Sequence, residues 1–312
     1  MKALVTGGAG FIGSHLVEAL VNQEGFDVVV LDNLMKGKLS SIQYLIDKGK
    51  VKFIEGDIRC RDIVDEAMEG VDYVFHTAAI HIHQSLRSPD ECIDINIKGS
   101  YNVFHSALKH KVKRVIFSSS SSVYGNPRKL PMSEEDKLYP AEPYGAAKLY
   151  CEHLLQHLQT KGLNWVALRY FNVYGERQAA HAYYTTVVIH FIKRVIANQP
   201  PTIDGKGDQS MDFTHVSDVV RANILAMKTK AVNEVFNVGT GVATSIAQLA
   251  DIIIKGLGKD IKPIFRPRDV LVTRRQADTS KAEKLLGFKA KIDVKEGMTM
   301  VAREIAAHPE RY

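Results

Sequence analysis

Hydrophobic positions along the chain fall into two alternating kinds of segment. Short runs rich in β-branched residues, at Lys2–Thr6, Asp27–Asp32, Val51–Glu55, Tyr73–Thr77, Arg114–Ser119 and Trp165–Phe171, are apolar on successive residues, as at Val28, Val29, Val30 and Leu31. Strands covered on both faces need that continuity, whereas a strand with one wet face alternates. Between them lie segments with helical spacing, at Ser14–Gln23, Asp62–Met68, Asp90–Lys109 and Tyr144–Lys161. The alternation predicts an α/β fold, a Rossmann-type doubly wound parallel sheet with right-handed crossovers. Beyond residue 174, Pro200, Pro201, Gly205, Gly207 and the glycines at 239 and 241 cut the pattern into shorter pieces. We therefore expect a first domain over 1–173, to which 213–240 returns, and a smaller α/β C-terminal domain made of 174–212 and 241–312.

Composition narrows the class. The 312 residues are 45% hydrophobic and 24% charged, enough apolar material for a large core. That excludes disordered, fibrous and small disulfide-stapled chains. The net charge of +6 arises from 41 basic and 35 acidic residues that are interspersed. An anionic small substrate accounts for it without nucleic acid, and the densest basic run, His110–Arg114, reads as a solvated helix end. Cys60, Cys92 and Cys151 are odd in number and far apart, so reduced thiols are expected and neither a disulfide nor a metal site. The N-terminus has no leader-like apolar stretch, and no run reaches the roughly 18 apolar residues of a membrane helix. A cytoplasmic protein with no membrane association is expected.

Candidate chemistry begins at the first strand, which runs into Gly7, Gly10 and Gly13 with Phe11 and Ile12 between them. Glycines at that spacing let the turn close and the backbone approach a pyrophosphate seated on helix N-terminal amides. Asp32 ends the next strand, where an acid accepts from ribose hydroxyls and repels a 2′-phosphate, so NAD is favoured over NADP. Asp57 ends the third strand, either holding the adenine or capping the next helix.

A second constellation is Tyr144 and Lys148, four residues apart on a predicted helix and hence on one face. A nearby ammonium stabilises a phenolate, which makes Tyr144 a candidate general base with its pKa drawn toward neutrality. The serines at 118–122 end a strand at the sheet edge where ligands bind, and one can hydrogen-bond the hydroxyl that Tyr144 deprotonates.

These residues resemble the extended short-chain dehydrogenase/reductases, in particular the nucleotide-sugar 4-epimerase and dehydratase group. TGGAGFIGSH, DNL, GDI, HTAA, SSSSSVYG, PYGAAK, RYFNVYG, DFTHVSDV and ADTSKAEKLLGF occur in the family's order over nearly the whole chain. The resemblance implies that Ser120 works with Tyr144 and Lys148. It implies cofactor contacts at Asn33, Gly37, Asp57, Ile58, Thr77, Ala78, Ala79, His81, Asn96, Ser118 and Phe171, and places Asn172 on the sugar-phosphate side. The family's dehydratases carry Asp-Glu, and its decarboxylases a Glu, just after the position of Ser120. Here those positions are Ser121 and Ser122, neither a competent acid or base at neutral pH. The expected reaction is therefore NAD-dependent C4 epimerisation of a UDP-sugar, either UDP-glucose/galactose or the N-acetylhexosamine pair. The alternatives are a 4,6-dehydratase or decarboxylase, or a non-catalytic dinucleotide sensor.

Two positions depart from the family pattern. Met211 stands where many epimerases have a diphosphate-binding Arg, which leaves Arg266 as the best match, with Arg268, Arg274 and Arg275 nearby. His81 stands where galactose epimerases often have Lys; with His76 and His83 it lacks the Cys or carboxylate that would complete a metal site. Finally, Asp90–Lys109 and Tyr144–Lys161 carry more apolar residues than one buried stripe holds, among them Ile93, Ile97, Val103, Phe104, Leu149, Leu154, Leu155 and Leu158. In the family such helices pair as a four-helix bundle, so a homodimer is expected.

Overall fold

The computed structural model describes residues 1–178, 185–267 and 274–309. Its centre is a seven-stranded sheet. Six strands follow in chain order as β1 (Lys2–Thr6), β2 (Asp27–Asp32), β3 (Val51–Glu55), β4 (Tyr73–His76), β5 (Arg114–Ser120) and β6 (Trp165–Tyr170). The Glu234–Val238 strand adds to β6, and the spatial order is Glu234–Val238, β6, β5, β4, β1, β2, β3 with every pairing parallel. Chain order reverses between β1 and β4, which opens a crevice at their C-terminal ends.

The continuous apolar runs are explained by burial on both faces. In β1, Ala3 and Val5 enter one core with Leu16, Val17 and Leu20 of the Phe11–Asn22 helix, while Leu4 enters the other with Val103, Phe104 and Leu155. The period of two sends neighbours to opposite layers, and β2 divides Val28 and Val30 from Val29 and Leu31 in the same way. Helices Val216–Lys228 and Ser280–Leu286 complete the first layer, so Ala282, Leu286 and Phe288 share a core with the sheet although they lie within 241–312.

A third core belongs to the smaller lobe, where helices Thr185–Ile196, Ile246–Gly256 and Val294–Ala307 bury Phe191, Ile192, Leu249, Ile253, Met298 and Val301. Met211 is in this core, so it is packing material there rather than a ligand contact. Among the described residues three two-stranded sheets accompany the main one; two of them, Thr202–Asp204 with Ile264–Arg266 and Ser210–Met211 with Thr244–Ser245, form in this part of the chain.

The expected helix over Asp90–Lys109 has three parts. Pro89–Cys92 and Ser100–Lys109 are α-helical, and Ile93–Gly99 has the wider π pattern. The Asn96 carbonyl accepts from Ser100 Oγ at 2.7 Å and from Cys151 Sγ at 3.1 Å. Side chains thus engage a carbonyl of the widened turn, a local feature that apolar periodicity does not report.

Four of the residues expected at a dimer face, Val103, Phe104, Leu155 and Leu158, are instead core of the same chain. Ile93 is 53% exposed and Tyr150 49% exposed, and Leu86 and Tyr101 are exposed with them. No helix among the described residues is long and apolar enough to cross a membrane.

Candidate active site

A cleft of about 1900 Å³ follows the crevice at the C-terminal strand ends. Its first wall is the turn after β1. Gly7 has φ +70°, and a Cβ there would stand 2.8 Å from the backbone nitrogen of Ala78; a Cβ on Gly13 would stand 2.1 Å from the Gly7 carbonyl oxygen. Only glycine fits either position. A Cβ on Gly10 would meet, among the described residues, only Gly7 O, at 3.1 Å, and Gly10 lines the cleft with Phe11 and Ile12. The turn therefore offers a cradle against the N-terminus of the Phe11–Asn22 helix, which suits a pyrophosphate.

Asp32 lines the cleft and is nearly buried. One carboxylate oxygen accepts from the backbone N–H of Ala9 at 3.0 Å and the other from Leu34 at 2.8 Å. Burial raises its pKa against the pull of those two N–H groups. Asp57 does not cap the following helix, whose N-cap is Cys60. Its carboxylate instead accepts from the Arg59 backbone and guanidinium and from Asn33 Nδ2. Those bonds, outweighing desolvation, hold its pKa down at about 2. Asn33, Gly37, Ile58, Thr77, Ala78, Ala79, His81 and Ser118 also line the cleft. At His81, burial first and the Lys36 charge second lower the pKa to about 4, with Lys36 Nζ 3.2 Å from Nε2.

Two expected cofactor contacts do not line the cleft. Asn96 is buried behind it, accepting from the Ile80 N–H and donating to the Ile80 carbonyl, both at 2.9 Å, so it fixes the wall segment 78–81 from outside. Phe171 is buried in a small core with Val123, Tyr124, Met132 and Ala277. Asn172 does line the cleft, in a positive-φ conformation of +22° and tied through Nδ2 to the Asp212 carbonyl.

At the other end, β5 delivers the serines and the Pro143–Gln159 helix delivers Tyr144 and Lys148. Ser120, Tyr144 and Lys148 all line the cleft, and Tyr144 is hydrogen-bonded with the Ser120 side chain. Lys148 is 3% exposed; its ammonium donates to the Ser118 carbonyl at 2.7 Å and lies 5.6 Å from the Tyr144 ring centroid. The expected depression of the phenol is not what the protein alone provides. Burial pushes the Tyr144 pKa up to about 12, aided by the Glu142 charge and opposed by the Ser120 hydrogen bond. Burial lowers Lys148 to about 8. Desolvation outweighs proximity here because both groups are taken from water together.

A buried network holds this edge. Glu152, on the helix of Tyr144 and Lys148, accepts from Ser119 Oγ at 2.5 Å and makes a two-pronged pair with Arg169 of β6. Arg169 donates to the Tyr124 hydroxyl, which donates to Asn237. Pattern reading gives no sign of this network, because Glu152 and Arg169 lie on different elements, a helix and a strand, and only the fold brings them together.

Among the arginine candidates, Arg266 lies on the exposed strand Ile264–Arg266, away from the cleft lining. Arg268 falls outside the described residues. Arg274 bridges Ser210, while Arg275 lines the cleft, nearly buried, and donates to Ser121 Oγ at 3.0 Å. Sequence reasoning missed two further groups. Tyr170 lines the cleft, with its hydroxyl 3.0 Å from Ser118 Oγ, and was legible only as the polar end of a buried strand. Glu142, just before Pro143, is near Ser122 and Arg275, and burial raises its pKa.

Comparison with known proteins agrees with this geometry. Residues 3–239 match the model of the NAD dependent epimerase/dehydratase family. The chain is 39% identical over 303 residues to a putative UDP-glucose 4-epimerase of Methanocaldococcus jannaschii, covering 96% of each chain. It superimposes on the UDP-glucose 4-epimerase of Thermotoga maritima, solved with UDP-glucose, with a TM-score of 0.92 at 36% identity, covering 99% of this chain and 100% of the other. A UDP-N-acetyl-alpha-D-glucosaminuronate decarboxylase of Bacillus cytotoxicus is 33% identical over 310 residues, covering 95% of each chain, so similarity alone does not select the reaction. With a glycine cradle, a carboxylate at the end of β2 and a Ser-Tyr-Lys set along one cleft, and with the family model matching residues 3–239, the chain belongs to the NAD-dependent epimerase/dehydratase family.

Proposed function

We propose that the protein epimerises C4 of a UDP-sugar, UDP-glucose/galactose or the N-acetylhexosamine pair, through a transient 4-keto sugar. The observation that carries this reading is the convergence of Ser120, Tyr144 and Lys148 on the cleft, with Ser121 and Ser122 where a lyase of this group has acids. Glu142 is not among the residues that line the cleft.

In this reading Tyr144 Oη accepts the C4 hydroxyl proton, Ser120 Oγ hydrogen-bonds the same oxygen, and Lys148 holds positive charge beside the phenol. NAD, when bound, supplies the hydride acceptor and a cationic ring. The phenol of the protein alone is protonated at neutral pH, so added positive charge is what makes it a base. Gly7, Gly10, Gly13 and Asp32 would hold the dinucleotide, and Asn172 the sugar-phosphate side. Residues 1–173, 213–240 and 280–288 form the cofactor lobe, with the remainder of 174–212 and 241–312 carrying the nucleotide sugar. We place the enzyme in the cytoplasm as a homodimer that supplies nucleotide sugars for polysaccharide biosynthesis.

The test is incubation with a panel of UDP-sugars and chromatographic separation of products. The C4 epimer should form without net NADH, and denatured enzyme should release NAD. A 4-keto-6-deoxy sugar or a pentose as the product would replace this reading with a lyase.

A further inference from the structure

Where the strand order reverses, β1 and β4 end side by side on two polar side chains that are wholly inside the protein. Thr6 and His76 are partners in the parallel register, and neither is exposed. Thr6 Oγ1 lies 2.7 Å from His76 Nδ1, and His76 Nε2 lies 2.8 Å from Ser100 Oγ. The imidazole packs edge-to-face on Phe104 and stacks on Phe117, with ring centroids 5.5 and 5.7 Å away.

The direction of these bonds follows from what each atom can do. The Asn96 carbonyl can only accept, so Ser100 Oγ, 2.7 Å from it, donates its one hydrogen there. Ser100 must then accept from His76, which places the ring proton on Nε2. Nδ1 accepts from the Thr6 hydroxyl, whose oxygen accepts in turn from the Ala78 N–H at 3.4 Å. The opposite tautomer would leave the Thr6 hydroxyl hydrogen without an acceptor among the described residues. A second ring proton would do the same, and burial first and the Lys148 charge second hold the ring neutral, with its pKa at about 3.

The two ends of this chain grip the two parts of the site that must meet. One end is Ala78, in the cleft wall that continues through Ala79, Ile80 and His81. At the other end the Asn96 carbonyl also accepts from Cys151, less than one turn from Lys148 on the Pro143–Gln159 helix, while the Asn96 amide clamps Ile80. The imidazole is the piece that joins them.

We propose that His76, as its Nε2–H tautomer, is a positioning residue that registers the cofactor wall against the helix of Tyr144 and Lys148, and so fixes how NAD meets the base. The turnover it serves rests on the C4-epimerase reading; the registration itself does not.

The test is a double-mutant cycle on NAD-loaded enzyme with Thr6→Val and Ser100→Ala, which cut one grip each and leave the ring in place. Each should lower kcat roughly 10–100-fold, the scale of a misplacement approaching 1 Å, with KM for the UDP-sugar nearly unchanged. Because either cut ends the registration, the double variant should lose about as much as the worse single one. His76→Phe keeps a flat ring against Phe104 and Phe117 and should match it. Losses that multiply in the double variant, or near-normal kcat in folded, NAD-loaded single variants, would reduce these bonds to packing and overturn the proposal. Nitrogen-15 NMR of the wild-type histidine rings should find the His76 proton on Nε2 at neutral pH; a proton on Nδ1 would overturn it even if the variants fail to fold. Absence of C4 epimerisation on every UDP-sugar would instead sink the reaction assignment. The cycle is then read in the rate of NAD dissociation, which should rise equally in the single and double variants, and multiplied effects there would still overturn the role of His76.

Discussion

Lys148 stands 5.6 Å from the centre of the Tyr144 ring with its ammonium turned to the Ser118 carbonyl, so the strand that carries the serines also orients the cation beside the phenol. One buried unit thus contains the proposed base, its charge partner and the backbone of β5.

The base assignment follows from that unit. Tyr144→Phe keeps the ring and its packing but removes the proton acceptor, so turnover should fall roughly 10²–10⁴-fold, the usual share of general acid–base catalysis. NAD content should stay normal. Lys148→Ala should lose at least as much, Ser120→Ala less, and Ser121→Ala little turnover on UDP-glucose. Steady-state rates with NAD release after denaturation decide it; near-normal turnover in Tyr144→Phe ends the mechanism.

Lys148 should also cost stability. Its folded pKa of about 8 lies below the ordinary 10.5, so below pH 8 both states are protonated and the folded state carries the full penalty. Between about 8 and 10.5 the unfolded state holds a proton that the folded state lacks, and stability rises with pH. Lys148→Met removes the penalty, although the Ser118 carbonyl loses its donor at a cost of about 1–3 kcal/mol. A net gain on the order of 1 kcal/mol at pH 7 is expected from a shift worth about 1.4 kcal/mol per pH unit, shrinking by pH 10. Urea unfolding of NAD-free protein at both pH values measures it, and a gain that grows with pH would contradict the sign.

Gly13→Ala should expel the cofactor. The added Cβ would sit 2.1 Å from the Gly7 carbonyl oxygen, a backbone atom that cannot swing aside. The turn must open, and NAD released per chain should drop well below stoichiometric while far-UV circular dichroism stays near wild type. Full NAD content in this variant would show that the turn is not the cradle.

Breaking the pair behind the serines should be expensive. Glu152→Leu or Arg169→Met alone leaves a buried charge without its partner, with an expected loss of roughly 3–5 kcal/mol. The double variant should lose clearly less than the two single losses together. Additive losses in denaturant unfolding would mean that the two residues act independently.

Assembly should depend on residues that remain exposed in the single chain. Ile93→Glu with Tyr150→Glu is expected to convert a homodimer to monomer by light scattering at micromolar concentration, with the fold retained. Val103 and Leu155, being core, should unfold the chain when charged rather than dissociate it. A wild-type monomer would refute the dimer.

The sequence by itself determined the layered α/β architecture, because unbroken apolar strands have a stable place only inside a doubly covered sheet. It also pointed to the glycine turn, Asp32, Tyr144 and Lys148, whose signals are local spacings that survive without tertiary information, whereas Ser120 was singled out among the serines at 118–122 by the family resemblance. What only the tertiary structure decided are relationships between residues far apart in the chain. Asn96 and Phe171 went behind the cleft wall, Arg275 rather than Arg266 came to the serine end, and Val103 and Leu155 turned inward, since side-chain direction depends on which layer an element joins. The pKa of Tyr144 is the clearest instance. A four-residue spacing places an ammonium beside a phenol, but the direction of the shift is set by how much water both lose, and burial is a property of the whole fold.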